Sequence, residues 1–113
     1  MQPILIERGK PVEERTKSVL AMQEQGILDP ESNVQFGEGG AGAFSDGKLT
    51  TGTKSPLIRT VLQTFVDHGA PEDILNIAKP HVGTDLLKGV VRSMRQEREK
   101  LAGSDNNVTV GRL

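Results

Sequence analysis

Gly37-Glu38-Gly39-Gly40-Ala41-Gly42 satisfies G-x-G-x-x-G letter for letter, and its reading decides the fold. A dinucleotide fingerprint of that form needs a strand before it and a helix opening at its third glycine. Only Val34-Gln35-Phe36 precedes it, too short and too polar for a buried strand. Ala43-Phe44-Ser45-Asp46-Gly47-Lys48 follows, which is a poor helix start. The string therefore reads as part of a long loop over about 29–53, not as the first turn of a nucleotide-binding unit. Six glycines fall in that window: Gly37, Gly39, Gly40, Gly42, Gly47 and Gly52. Glycine content alone describes a flexible surface loop. Consecutive glycines can also turn several backbone N–H groups toward one anion, because no Cβ stands in the way.

Upstream of the loop, Ile4-Leu5-Ile6 is a short continuous apolar run that suits a strand buried on both faces. Pro11 fits the first position of a helix, with Val12, Val19, Leu20 and Met22 as its apolar face and Gly26 as its stop. Glu13 and Lys17 stand four apart and can pair on the wet side. Downstream, Ser55-Pro56 starts a helix with Leu57, Ile58, Val61, Leu62, Phe65 and Val66 at three- and four-residue spacing, ended by Gly69. Pro71-Glu72-Asp73 opens a short helix carrying Ile74, Leu75, Ile77 and Ala78, and Pro80 stops it. Thr84-Asp85 caps a longer one, with Leu86, Leu87, Val90, Val91, Met94 and Leu101 on its apolar face. Arg92, Arg95, Arg98 and Lys100 crowd its far end, mixed with Glu97 and Glu99, and read as a solvated face. Asn106-Asn107 reads as a turn and Val108-Thr109-Val110 as a strand. The expectation is a helix-rich α/β fragment of three to four helices, with a short strand of buried type at the N-terminus and a second strand near the C-terminus. It forms one small domain over residues 1–113, with the helical part at about 55–103.

Composition narrows the functions. The chain has 113 residues, 35% hydrophobic, and three Phe as its only aromatics, so the core is aliphatic. The net charge of −1, from 14 basic and 15 acidic residues, gives no pull toward nucleic acid or an anionic membrane. No apolar run is long enough for a membrane span, and Met1-Gln2-Pro3 does not begin a secretory signal. With no cysteine there is no disulfide framework or thiolate metal site. These features suggest a cytoplasmic protein that binds neither nucleic acid nor membrane. His68 and His81 have no visible partner constellation and read as structural or solvent residues. Glu38 and Asp46, a conceivable carboxylate pair, share a loop that fixes no separation between them.

Three strings carry a resemblance. Asn33-Val34-Gln35-Phe36-Gly37-Glu38-Gly39-Gly40-Ala41-Gly42-Ala43-Phe44-Ser45-Asp46-Gly47-Lys48-Leu49 resembles the second glycine-rich element of uncharacterised FAD-dependent dehydrogenases. That group is similar to the NAD(P)/FAD-dependent oxidoreductases of glutathione-reductase type. Pro3-Ile4-Leu5-Ile6-Glu7-Arg8-Gly9-Lys10 resembles the second strand of their FAD-binding domain, and Ala78-Lys79-Pro80-His81-Val82-Gly83-Thr84-Asp85 also resembles that family. The resemblance implies FAD as cofactor. Glu7 would hold the adenosine ribose, with Arg8 and Lys10 nearby. Gly39, Gly40 and Gly42 would lie along the flavin or pyrophosphate, and Ser45, Asp46 and Lys48 would approach the ring. The flavin would do the chemistry, and no residue here stands out as a catalytic acid or base. The family's first strand and its G-x-G-x-x-G turn would precede Pro3. Without that helix N-terminus for the pyrophosphate, the chain alone is expected to hold FAD weakly and to be inactive. Two other readings stand beside it. One is a non-enzymatic helical module that self-associates as a homo-oligomer through exposed apolar faces or the strand edge. The other is a phosphate- or nucleotide-binding module built on the glycine loop.

Overall fold

The structure, a computed structural model, describes residues 4–103 and 109–112. Strand β1 (Ile4–Glu7) is followed by helices α1 (Val12–Gln25), α2 (Leu57–Asp67) and α3 (Thr84–Gly103), and then by strand β2 (Thr109–Arg112). Single 3-10 turns occupy Ala41–Phe44 and Glu72–Leu75. The fold is thus the helix-rich α/β fragment that the sequence implies. The short helix expected after Pro71 is only the turn Glu72–Leu75. Residues before a proline are biased away from helical backbone, and Pro80 leaves little room for a longer helix. The second strand lies one to two residues beyond Val108-Thr109-Val110, and the Asn106-Asn107 turn falls outside the described residues.

β1 and β2 pair in parallel, with Ile4 opposite Thr109 and Glu7 opposite Arg112. Parallel neighbours need a long crossover, and here the whole helical part supplies it. β1 has the composition of a strand buried on both faces, yet Ile4 is 72% and Ile6 57% exposed within this chain.

The helix ends follow from local chemistry. Gly26 adopts φ +69 after α1, and its N–H reaches Met22 O at 3.1 Å while Ile27 N–H reaches Ala21 O at 3.3 Å. A left-handed residue of this kind satisfies the orphan carbonyls of the last turn. Ser55 Oγ accepts the Leu57 N–H at 3.2 Å and so caps α2. The main core joins Ala70, Ile74, Val82, Leu87 and Val90, with Leu49, Leu62, Phe65, Val66, Val91 and Met94 packed against it. It is aliphatic apart from Phe65. A second buried patch lies under α1, where Val12, Arg15 and Val19 share one face. Glu13 does not pair with Lys17; it binds Arg92 and Arg95 of α3, each at 2.7 Å, and fastens the two helices together.

Candidate functional site

The glycine-rich loop is built around a cation. Arg15 of α1 is fully buried, three residues after Val12 and four before Val19 on the helix face turned to the loop. Its guanidinium donates to a ring of carbonyls: Asn33 at 2.8 Å, Val34 at 2.9 Å, Glu38 at 2.7 Å and Gly40 at 2.7 Å, with Gly37 at 3.4 Å. The Phe44 ring centroid lies 4.5 Å from the guanidinium carbon, and Lys88 Nζ approaches the same ring at 4.4 Å. Burial lowers the Arg15 pKa from its ordinary value, opposed by the charge of Glu7.

Around that centre the loop is closed by its own side chains. Asn33 Oδ1 accepts the N–H groups of Gln35 at 2.9 Å and Phe36 at 3.2 Å, and Asn33 Nδ2 donates to Asp29 O at 2.8 Å. Glu38 reaches back to α1: one carboxylate oxygen accepts the Val12 N–H at 2.7 Å, and the other lies 3.0 Å from Arg95 Nε. This bond satisfies an otherwise unpaired donor at the start of α1. Past the 3-10 turn, Lys48 forms an antiparallel bridge with His81; Leu49 N–H donates to Pro80 O at 2.9 Å and Val82 N–H to Gly47 O at 3.1 Å.

The residues named by the resemblance fall into distinct surroundings. Glu7 ends β1, and its Oε1 accepts the N–H groups of Arg8 at 2.8 Å and Gly9 at 2.7 Å. A cleft of about 450 Å³ opens there, lined by Glu7, Arg8, Glu31, Gln35, Phe36 and Gly37 among others. Arg8 is paired with Glu31 across it. Lys10 lies at a neighbouring cleft of about 420 Å³ and holds Asp29 at 2.8 Å, which keeps the Asp29 carboxyl below its ordinary pKa. Gly39 faces α3: a Cβ there would meet Ala43 Cβ at 3.1 Å and Val91 Cγ2 at 3.3 Å. Gly42 lies 3.7 Å from Leu87 by the same measure, whereas Gly40 faces open space. Ser45, Asp46 and Lys48 are exposed beyond the 3-10 turn and do not line the cleft at Glu7. Asp46 binds Lys48 at 3.0 Å, which lowers the Asp46 pKa. Glu38 and Asp46 therefore engage separate cations, Arg95 and Lys48, rather than each other.

Sequence reasoning missed Arg15. The signal was available: a charged residue at the centre of the Val12–Val19 stripe must bring its partners with it. Arg95 is likewise no solvated side chain, since its side chain is only 18% exposed between Glu13 and Glu38. His68 is tied to the Thr64 carbonyl at 2.7 Å and to Glu97 of α3. Among the described residues no cluster of three or more His, Asp or Glu is placed to hold a metal, and no helix is long and apolar enough to cross a membrane.

No family model matches the chain. It is similar to an uncharacterized protein of Clostridium beijerinckii, 53% identical over 105 residues. That match covers 93% of this chain and 20% of the relative, so the chain spans about one fifth of the length of the curated protein it matches.

Proposed function

We propose that this chain is part of a cytoplasmic FAD-dependent oxidoreductase, the part that receives the adenosine end of the flavin nucleotide. The observation that carries the reading is Glu7, which stands at the C-terminal end of a parallel strand and opens onto the 450 Å³ cleft. Ligands of parallel α/β sheets bind beyond the carboxyl ends of the strands. The cleft sits near the lower end of the roughly 300–1,000 Å³ usual for ligand sites, a size for a nucleoside rather than a whole dinucleotide.

The residues present fit that part of the group. The two backbone N–H groups on Glu7 Oε1 fix the carboxylate at the strand end, where its second oxygen can accept from ribose hydroxyls. Phe36, 58% exposed, gives the cleft an apolar aromatic wall. Arg8 and Lys10 are each engaged by an acid, Glu31 and Asp29. Exposed pairs of this kind are screened by solvent and contribute little, so a phosphate can compete for the cations without being gripped. Bound flavin would supply the redox chemistry, and this chain's residues would orient it.

Equilibrium dialysis against FAD and AMP tests the reading. Weak, saturable binding of both is expected, reduced about threefold to tenfold in Glu7→Gln by loss of a charge-assisted hydrogen bond. No binding by this chain, together with no flavin on a longer polypeptide that contains it, would end the proposal.

A second reading is favoured by one observation, the exposure of Ile4, Leu5 and Ile6 on β1. An uncovered apolar strand is a template for another chain, and self-association through it is compatible with the first reading.

A further inference from the structure

We infer that Arg15 is a positioning residue: its buried guanidinium sets the shape of the glycine-rich loop before any ligand arrives. The inference rests on the proposed role of that loop beside a flavin nucleotide.

Among the described residues, every hydrogen-bond partner of the Arg15 guanidinium is a backbone carbonyl of the loop, at Asn33, Val34, Gly37, Glu38 or Gly40. These acceptors flank Gln35 and Phe36, whose N–H groups Asn33 holds, so one side chain ties the loop's entry to its glycine segment. The fork is what permits this. Guanidinium carries five N–H donors in one plane, whereas an ammonium is a compact point donor that cannot span the same set. The Phe44 ring, 4.5 Å away, closes another side of the cage.

The glycines complete the device. A Cβ on Gly37 would fall 2.7 Å from Arg15 Cδ, and one on Gly9 would fall 2.3 Å from Gly37 Cα. Gly37 thus touches Arg15 on one side and lines the cleft at Glu7 on the other, with Gly9 packed against it in the cleft wall. The buried cation and the ligand cleft thus share one layer of backbone. Among the described residues no carboxylate is hydrogen-bonded to Arg15, so carbonyl dipoles hold the cation, helped by the Phe44 ring and the charge of Glu7. A loop already shaped in this way spares the ligand the cost of ordering it.

The test is chemical rescue. Arg15→Ala and Arg15→Lys are compared with the wild-type chain by amide hydrogen exchange, with FAD as the probe ligand. In Arg15→Ala, amides between Asn33 and Phe44 should exchange about tenfold or more faster, as five carbonyls lose their donors, while the main-core amides of α2 and α3 hold. FAD affinity should fall in parallel. Millimolar guanidinium chloride should restore slow exchange and affinity; urea, its neutral isostere, and sodium chloride at equal ionic strength should restore neither. Arg15→Lys should behave like Arg15→Ala. Unchanged loop exchange in Arg15→Ala would overturn the inference, as would rescue by urea equal to that by guanidinium. If Arg15→Ala does not fold, recovery of helical circular dichroism with guanidinium but not urea supports the inference, and no recovery overturns it. The exchange arm judges Arg15. Failure of the wild-type chain and of a longer polypeptide containing it to take up FAD judges the flavin reading instead.

Discussion

The state of charge of His68 follows from its two neighbours. Nδ1 lies 2.7 Å from the Thr64 carbonyl, and Nε2 meets the Glu97 carboxylate. Both partners accept, so both contacts favour the protonated ring, in which both nitrogens donate. The Thr64 carbonyl raises its pKa most; burial opposes this, and the Glu97 and Asp67 charges add to the rise. The folded pKa therefore lies above the ordinary value of 6.5. The stabilisation is complete below that ordinary value and is lost as pH rises through the folded pKa. Because Glu97 is largely exposed, the pair contributes on the order of 1 kcal/mol or less. A proton-detected titration of the His68 ring should show a midpoint above that of a free histidine. Thermal stability should fall over the same interval in the wild type and not in His68→Gln. A midpoint at or below the ordinary value would contradict this contact.

At the scale of elements, the helices were legible because their signals are local. Pro11, Gly26, Ser55-Pro56, Gly69 and Thr84 bound α1, α2 and α3 within a residue or two. The partners of charged side chains were not legible in this way. Glu13 stands four residues from Lys17, yet it binds Arg95, 82 positions away. Helical periodicity says which face a residue occupies and nothing about which element arrives there. The same limit hid the partners of Arg15, which are backbone carbonyls and leave no mark in the side-chain pattern. Of the residues expected at a site, Glu7 and Arg8 line one cleft. Ser45, Asp46 and Lys48 belong to a different stretch of surface, set by the Lys48–His81 bridge. Glycines sort by the same logic. Gly37 has φ +117 with Arg15 Cδ against its missing Cβ, whereas Gly26 has φ +69 and open space. Gly37→Ala combines backbone strain with overpacking and should cost roughly 2–4 kcal/mol; Gly26→Ala meets only the strain, about 1 kcal/mol. Urea midpoints of the two variants would check the order, and an equal loss at both sites would show that Arg15 does not fix the loop.

At the scale of the molecule, the chain buries a core between α2, α3 and the turn at Glu72–Leu75, yet leaves β1 with its apolar residues in the open. Parallel strands ordinarily have both faces covered. On the proposed reading, the remainder of a flavoprotein or a second copy of the chain covers them. In light scattering across concentrations, the isolated chain should self-associate, and Ile6→Glu should shift it toward monomer; a wild-type monomer throughout would exclude association through β1. The cleft at Glu7 belongs to the same exposed end and is sized for part of a dinucleotide. The most direct measurement is therefore the flavin content of the purified chain after it has been saturated with FAD and passed through a desalting column. A colourless protein with no retained flavin is expected. A yellow protein carrying one tightly held FAD per chain would contradict it.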